Sequence, residues 1–212
     1  MPSDVPRRDA GAQVNKSEFW NSIYVEQESP RWNLGHPAPA LKHWLENSGA
    51  KPGRVLIPGC GYGHDVRILA EHGFDAIGVD FAPLANKRGR EVLRDVKGKW
   101  ELRQVDIFDL PKTDRGAFDY IYEYTCFVAI EPPRRPEYVQ LKLDLLKPGG
   151  LVIGCFYNHG REGGPPFDVT REEVLKLYEP CFNIRKLEVT EHSIERRLGH
   201  ELWAEFTKPT GP

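Results

Sequence analysis

Apolar residues follow two spacings along this chain. Phe19, Trp20, Ile23 and Tyr24 fall at i, i+1, i+4 and i+5 of a segment that starts at Ser17 and runs to about Gln27, and Ala40, Leu41, Trp44 and Leu45 repeat the pattern before Gly49. Each marks one face of a helix. From residue 54 onward, short apolar runs alternate with helical stretches. They predict strands at 54–57, 75–80, 100–105, 118–124 and 150–157, with helices at 64–72, 84–96 and 134–146 among them. Lys147-Pro148-Gly149-Gly150 separates the last of these helices from its strand. Thr170-Arg171-Glu172-Glu173 is a capping box opening a helix through Leu177. The runs at about 183–191 and 200–207 have no helix between them and pair most simply as an antiparallel hairpin.

This order predicts an α/β fold, a doubly wound and mostly parallel sheet with an antiparallel hairpin at one edge. The two leading helices lie outside the repeat. Residues 1–14 are polar with Pro and Gly and are predicted to be disordered. Residues 15–212 form one domain in this reading, with 15–50 an added arm and 51–212 the α/β core. Between the arm helices, Pro30 to Pro39 is a loop by its prolines and glycine. It spends a Trp at position 32, which is expected to pack on the core or on a ligand.

Composition changes this picture mainly by exclusion. At 212 residues, 40% apolar and 28% charged, the chain is long enough for a full core. A net charge of −2 and the lack of a long basic run argue against nucleic acid as an obligate partner. The four cysteines, Cys60, Cys126, Cys155 and Cys181, form no C-x-x-C, so neither a metal site nor a disulfide framework is expected. No stretch has the length and apolarity of a signal peptide or membrane span, and the expected location is the cytoplasm.

The candidate chemistry sits at strand ends. Val55 to Ile57 is followed by Pro58-Gly59-Cys60-Gly61-Tyr62-Gly63 and then a helical pattern. Strand, glycine loop and helix open a nucleotide-binding unit, because glycines let the backbone approach a ligand. The loop is G-x-G-x-G, and His64 stands where a dinucleotide fingerprint continues toward its third small residue. The pattern is that of S-adenosyl-L-methionine (SAM) methyltransferases; a glycine turn of another α/β protein is the plainer alternative. Asp80 ends the next strand, where a carboxylate accepts the hydroxyls of a ribose, and Phe81 follows it. Asp106 ends the strand after that. It either accepts from an adenine amino group, with Ile107 and Phe108 against the ring, or caps a turn. All three lie where doubly wound sheets bind ligands.

With these residues in place, the chain resembles the thiopurine S-methyltransferase superfamily, and most closely its halide/thiol methyltransferase branch. The resemblance spans roughly residues 17–206. It rests on the Trp-rich arm, Val55 to Asp65, Phe118 to Tyr124, Ala129-Ile130-Glu131-Pro132-Pro133-Arg134-Arg135, Leu146 to Gly150 and Gly163-Gly164-Pro165-Pro166-Phe167. It implies the class I, Rossmann-like SAM methyltransferase sheet of seven strands, with the N-terminal arm as a lid whose Trp20 and Trp32 line the SAM pocket. Tyr24 stands where plant members carry a further Trp. Ile57 occupies the place of a common acid, and Asp65 either serves the methionine end of SAM or caps its helix. Glu123-Tyr124 leans to the halide/thiol branch, with Glu123 facing the cofactor. Tyr124, Tyr157 and Arg135 fall at the acceptor.

The implied reaction transfers a methyl group from SAM, leaving S-adenosyl-L-homocysteine, to a small thiol, hydrosulfide, thiocyanate or halide. Phe127 and Phe156 are expected as pocket walls and His64 and His159 as the nearest histidines, with Cys126 and Cys155 as packing residues. A thiopurine or aromatic-thiol acceptor is the second reading. A SAM-binding protein without turnover and a nucleotide-dependent oxidoreductase are remoter ones. The expected assembly is a monomer or weak homo-oligomer.

Overall fold

The computed structural model describes residues 13–211. Seven strands form one sheet: β1 (Arg54–Pro58), β2 (Asp75–Val79), β3 (Trp100–Arg103), β4 (Phe118–Tyr124), β5 (Leu146–Tyr157), β6 (Asn183–Val189) and β7 (Glu201–Thr207). Their order is β3-β2-β1-β4-β5-β7-β6, and β7 runs antiparallel to both neighbours while the other pairs are parallel. Helices α3 (His64–Glu71), α4 (Pro83–Leu93), α5 (Arg135–Leu145) and α6 (Arg171–Tyr178) belong to the α/β part. Two apolar layers sandwich the sheet. One holds Leu56, Ile121, Phe127, Phe156, Tyr178 and Phe206; the other holds Val55, Ile57, Leu69, Phe74, Tyr122 and Ile153. Alternate residues of one strand therefore serve opposite layers, as the two-residue period of a strand requires.

Most predicted elements stand where the pattern puts them, and the differences have local causes. Residues 147–150 do not separate α5 from a strand but lie within β5. Phe118 pairs with Leu146 and Tyr120 with Leu151, so the segment is a bulge in the ladder, tied by Gly149 N–H to the Lys208 carbonyl at 3.0 Å. Thr170 accepts the Glu173 N–H at 3.1 Å, which makes it the helix cap its sequence predicts. The predicted disordered segment lies outside the described residues up to residue 12. Its last member, Val14, is buried, and its carbonyl accepts the Trp20 indole N–H at 2.8 Å.

The arm comprises α1 (Ser17–Glu26), α2 (Pro39–Asn47) and the loop between them. Trp44 of α2 packs edge-on against Tyr120 and near Phe74, which anchors the arm to the sheet. α1 lies on the start of α4, where Asn21 Oδ1 accepts the Leu84 N–H at 2.9 Å. Trp20, Tyr24 and Trp32 join Tyr62, Ala82 and Ala85 in one apolar cluster over the glycine loop. The β6–β7 hairpin makes a long excursion with a short 3-10 turn at Glu195–Arg197. Because β7 is antiparallel, its first residue, Glu201, pairs with Tyr157, the last residue of β5. The excursion therefore hangs over the C-terminal edge of the parallel strands.

Candidate active site

A cavity of about 1290 Å³ lies along that edge, between the strand ends and the arm. Pockets for one drug-sized ligand span roughly 300–1,000 Å³, so the space suits two small molecules side by side. Of the predicted site residues, Trp20, Trp32, Gly59, Asp80, Phe81, Asp106, Ile107 and Tyr157 line it.

The end of β1 forms one wall. Gly59, Gly61 and Gly63 have φ of 58°, 53° and 75°, the left-handed region that favours glycine. A Cβ on Gly59 would meet Cys126 at 3.1 Å, so no side chain fits between the loop and the cavity. Asp80, almost fully buried, holds this loop to β2. Its Oδ2 accepts the Gly61 N–H at 3.0 Å and its Oδ1 the Ala82 N–H at 2.9 Å. Burial pushes its pKa to about 6 against those two N–H groups. Each oxygen keeps a further acceptor position. Asp106 accepts the Phe108 N–H at 3.0 Å and so caps the 3-10 turn at Ile107–Asp109, while also lining the cavity.

The arm closes the cavity from outside. Trp32 Nε1 donates to the Tyr24 hydroxyl at 3.0 Å, and Trp32 packs edge-to-face on both Trp20 and Tyr24. Burial and the Asp80 charge push the Tyr24 pKa well up, so its hydroxyl stays protonated over the glycine loop.

At the opposite end stands a wall that the sequence reading missed in part. Tyr157 lines the cavity, with the Arg197 guanidinium 4.8 Å over its ring. Arg197 is buried, donates to the Tyr124 hydroxyl at 3.1 Å and to Glu201 at 3.0 Å, and itself lines the cavity. Beyond it, His159 packs near Tyr157 and accepts the Arg161 N–H at 3.2 Å through Nδ1. Nothing in the local sequence of Arg197 marks it. Only the antiparallel placement of β7 carries it to this edge. Thr125 adds a left-handed φ of 64° at the cavity floor, strain that a tight β4 exit imposes.

The cavity wall does not include Gly61, Gly63, Asp65, Glu123, Tyr124 or Arg135. Tyr124 reaches it only through Arg197. Glu123, fully buried, is committed to Lys142 at 2.7 Å, to the Tyr138 hydroxyl and to the Phe127 N–H, so it does not face a cofactor. Arg135 is likewise buried, paired with Glu173 at 2.7 Å and donating to the Asp168 and Phe167 carbonyls, which makes it a clamp on the 167–173 segment rather than an acceptor ligand. Phe127 and Phe156 pack in the core beneath the floor rather than on it. His64 is not on the wall either. Cys126, read as a packing residue, does touch the cavity, but burial and the Glu123 charge push its thiol far above the ordinary range. It stays protonated and is a poor nucleophile.

Asp65 accepts the Ala38 N–H at 2.8 Å and thereby ties the arm to α3. Burial lifts its pKa to about 6, against that N–H and His36. The folded protein thus holds this proton more tightly than the unfolded chain. The stabilising contribution is complete below an ordinary carboxylate pKa near 3.8 and is lost as pH rises through about 6. Asp65→Asn keeps the acceptor and removes the charge. It is expected to raise stability at pH 7.5 by about 1–3 kcal/mol and to change it little at pH 4, measured by urea unfolding. Equal effects at both pH values would rule out a strained carboxylate.

A seven-stranded sheet with a glycine loop, a carboxylate ending β2 and an apolar lid defines a SAM-dependent methyltransferase. The chain belongs to the thiopurine S-methyltransferase (TPMT) family, whose sequence profile it matches over residues 15–204. It is 32% identical over 198 residues to a probable thiol methyltransferase 2 of Arabidopsis thaliana, covering 92% of this chain and 86% of that one. It is 33% identical over 195 residues to the thiocyanate methyltransferase 1 of the same plant (89% and 84%), and 30% identical over 209 residues to the thiopurine S-methyltransferase of Bos taurus (88% and 83%). In fold it is similar to the 1,6-didemethyltoxoflavin-N1-methyltransferase of Burkholderia thailandensis, solved with S-adenosylhomocysteine. That similarity has a TM-score of 0.74 at 18% identity and covers 98% of this chain and 94% of that one. Family membership sets aside the oxidoreductase and the binding-only readings. Among the described residues no helix is long and apolar enough to cross a membrane.

Proposed function

We propose that this methyltransferase acts on the sulfur of a thiol, or on another small soft anion such as hydrosulfide, thiocyanate or a halide. The observation that carries the reading is the cationic, phenol-flanked end of the cavity, where Arg197 lies between Tyr124 and Tyr157. The residues at the other end fit the cofactor. Asp80 has acceptor positions to spare for a ribose diol, the bare backbone at Gly59 admits close approach, and Asp106, Ile107 and Phe108 suit a purine. Trp20 and Trp32 cover it. Bound SAM supplies a methyl carbon made electrophilic by its sulfonium, and the electrons of the breaking bond stay on that sulfur.

The protein's own task is then modest. A thiol with a pKa near 8.5 is a few per cent ionised at neutral pH and strongly nucleophilic. The Arg197 charge favours the anion, and the Tyr157 hydroxyl donates to it and fixes its direction. The Glu201 carboxylate, with Ser193 at 2.5 Å on its other oxygen, keeps the guanidinium in place. Proximity and alignment supply most of the acceleration. A thiopurine or aromatic thiol is the second reading, favoured by the cavity volume.

The test is product analysis. The pure protein is incubated with SAM and, separately, sulfide, methanethiol, thiocyanate, iodide, an aromatic thiol and a thiopurine. Methylated products are read by headspace chromatography or mass spectrometry and S-adenosylhomocysteine in every vial. Turnover with sulfur nucleophiles is expected; turnover with none of these acceptors would overturn the proposal.

A further inference from the structure

The mouth of the cavity carries more positive charge than a lone thiolate or halide needs. Beyond Arg197 its wall includes Arg31, Arg134, Arg161 and Arg196, against the single acid Glu162 on that side and Asp80 and Asp106 at the far end. Two of these arginines are already engaged by the fold. Arg134 lies 3.8 Å over the Phe108 ring and bonds to Glu137, and Arg31 belongs to the arm loop, its carbonyl held by Arg196. Arg161 and Arg196 differ. Arg161 donates through Nε to His159 Nδ1 at 3.3 Å, and Arg196 to that carbonyl. Among the described residues neither guanidinium is paired with a carboxylate. They come from separate elements, the loop after β5 and the 3-10 turn before β7, and both are exposed at the rim.

The basic residues form a gradient. Arg197, buried and charge-paired with Glu201, sits beside Tyr157, where a reacting sulfur would lie; Arg161 and Arg196 sit farther out, their charge uncompensated. A bare anion occupies only the inner position. The cavity volume of about 1290 Å³ also exceeds the roughly 300–1,000 Å³ of a typical ligand pocket. An arginine fork matches carboxylate or phosphate geometry and adds direction as well as attraction.

We propose that the acceptor is an organic thiol carrying a second, anionic group, and that Arg161 and Arg196 receive that group at the cavity mouth while Tyr157 and Arg197 hold the sulfur. The proposal rests on the methyl-acceptor reading above and adds recognition rather than a chemical step.

Two arene thiols separate the effects: 4-mercaptobenzoate and its methyl ester. Both are ionised at sulfur at pH 8, so the main difference at the far end is the charge. The wild-type protein is expected to prefer the acid at least tenfold in kcat/KM, mainly through KM, and to lose most of that preference between 0.05 and 0.5 M NaCl, because exposed charges are screened. In the Arg161→Ala/Arg196→Ala variant the acid-to-ester ratio should fall to about one. Equal use of both thiols by the wild type overturns this inference and leaves the thiol reading standing. No methylation of either thiol, nor of any sulfur acceptor, removes the thiol reading itself. A ratio that survives in the double variant, or a raised KM for SAM with the ratio unchanged, assigns the rim to something other than the acceptor and also overturns it.

Discussion

Replacing Asp80 with alanine is expected to weaken SAM binding at least tenfold, read by titration calorimetry. Two losses act together. The carboxylate bonds both the glycine loop, at Gly61, and the turn into α4, at Ala82, so its removal loosens the surface proposed to carry the cofactor. It also removes the acceptors for a ribose diol. Hydrogen bonds to a charged group contribute roughly 1.5–3 kcal/mol each, and about 1.4 kcal/mol is a factor of ten in affinity. Asp80→Asn keeps one acceptor and is expected to fall between the two. The pH dependence has a fixed sign. Burial places the free protein's Asp80 pKa at about 6, so the acceptor-only form declines as pH falls through that value, and affinity should decline with it. Unchanged affinity in Asp80→Ala, with the protein still folded by circular dichroism, would refute the ribose assignment.

The second large effect lies outside the cavity. Lys142→Met is expected to cost about 3–5 kcal/mol of stability, the range for removing one partner of a buried pair. Lys142 and Glu123 are both fully buried and 2.7 Å apart. Burial by itself lowers the pKa of the amine, but Glu123 outweighs it and holds the lysine above its ordinary range. The Tyr138 ring lies 4.2 Å from the amine, and the Tyr178 hydroxyl bonds it at 3.0 Å. Without the lysine, a carboxylate is left in an apolar layer. The consequence reaches the site, because Glu123 also accepts the Phe127 N–H and so fixes the turn containing Thr125 and Cys126. Adding Glu123→Gln to Lys142→Met should recover part of the loss, since the amide is neutral and still accepts that N–H. Urea unfolding of the three proteins measures this. A single variant within about 1 kcal/mol of wild type would mean that the pair is solvated.

The two positions differ in how much of their role is written in local sequence. Asp80 is legible because a strand pattern, a terminal carboxylate and a preceding glycine loop are all local features. Glu123 is the penultimate residue of β4, and the family resemblance implied a place at the cofactor. Its neighbour Tyr124 and it point to opposite faces of β4, and the partner that claims Glu123, Lys142, comes from α5. Arg135 failed likewise. The resemblance put it at the acceptor, but Glu173, across the chain on α6, closes on it.

What the sequence determined by itself is therefore everything that short-range periodicity and backbone freedom encode. It determined the alternation of strands and helices, the positive-φ turn after β1, the Thr170 cap, the aromatic arm and the membership of a methyltransferase family. Tertiary structure alone decided which charges meet. The place of β7 between β5 and β6 brings Arg197 to Tyr157 and carries Arg196 to the same mouth as Arg161. Ala38 of the arm and Lys142 of α5 hold the acids at positions 65 and 123 behind the cavity wall. Pairing of charges depends on distances across the sheet between residues far apart in the chain, and no local spacing carries that information.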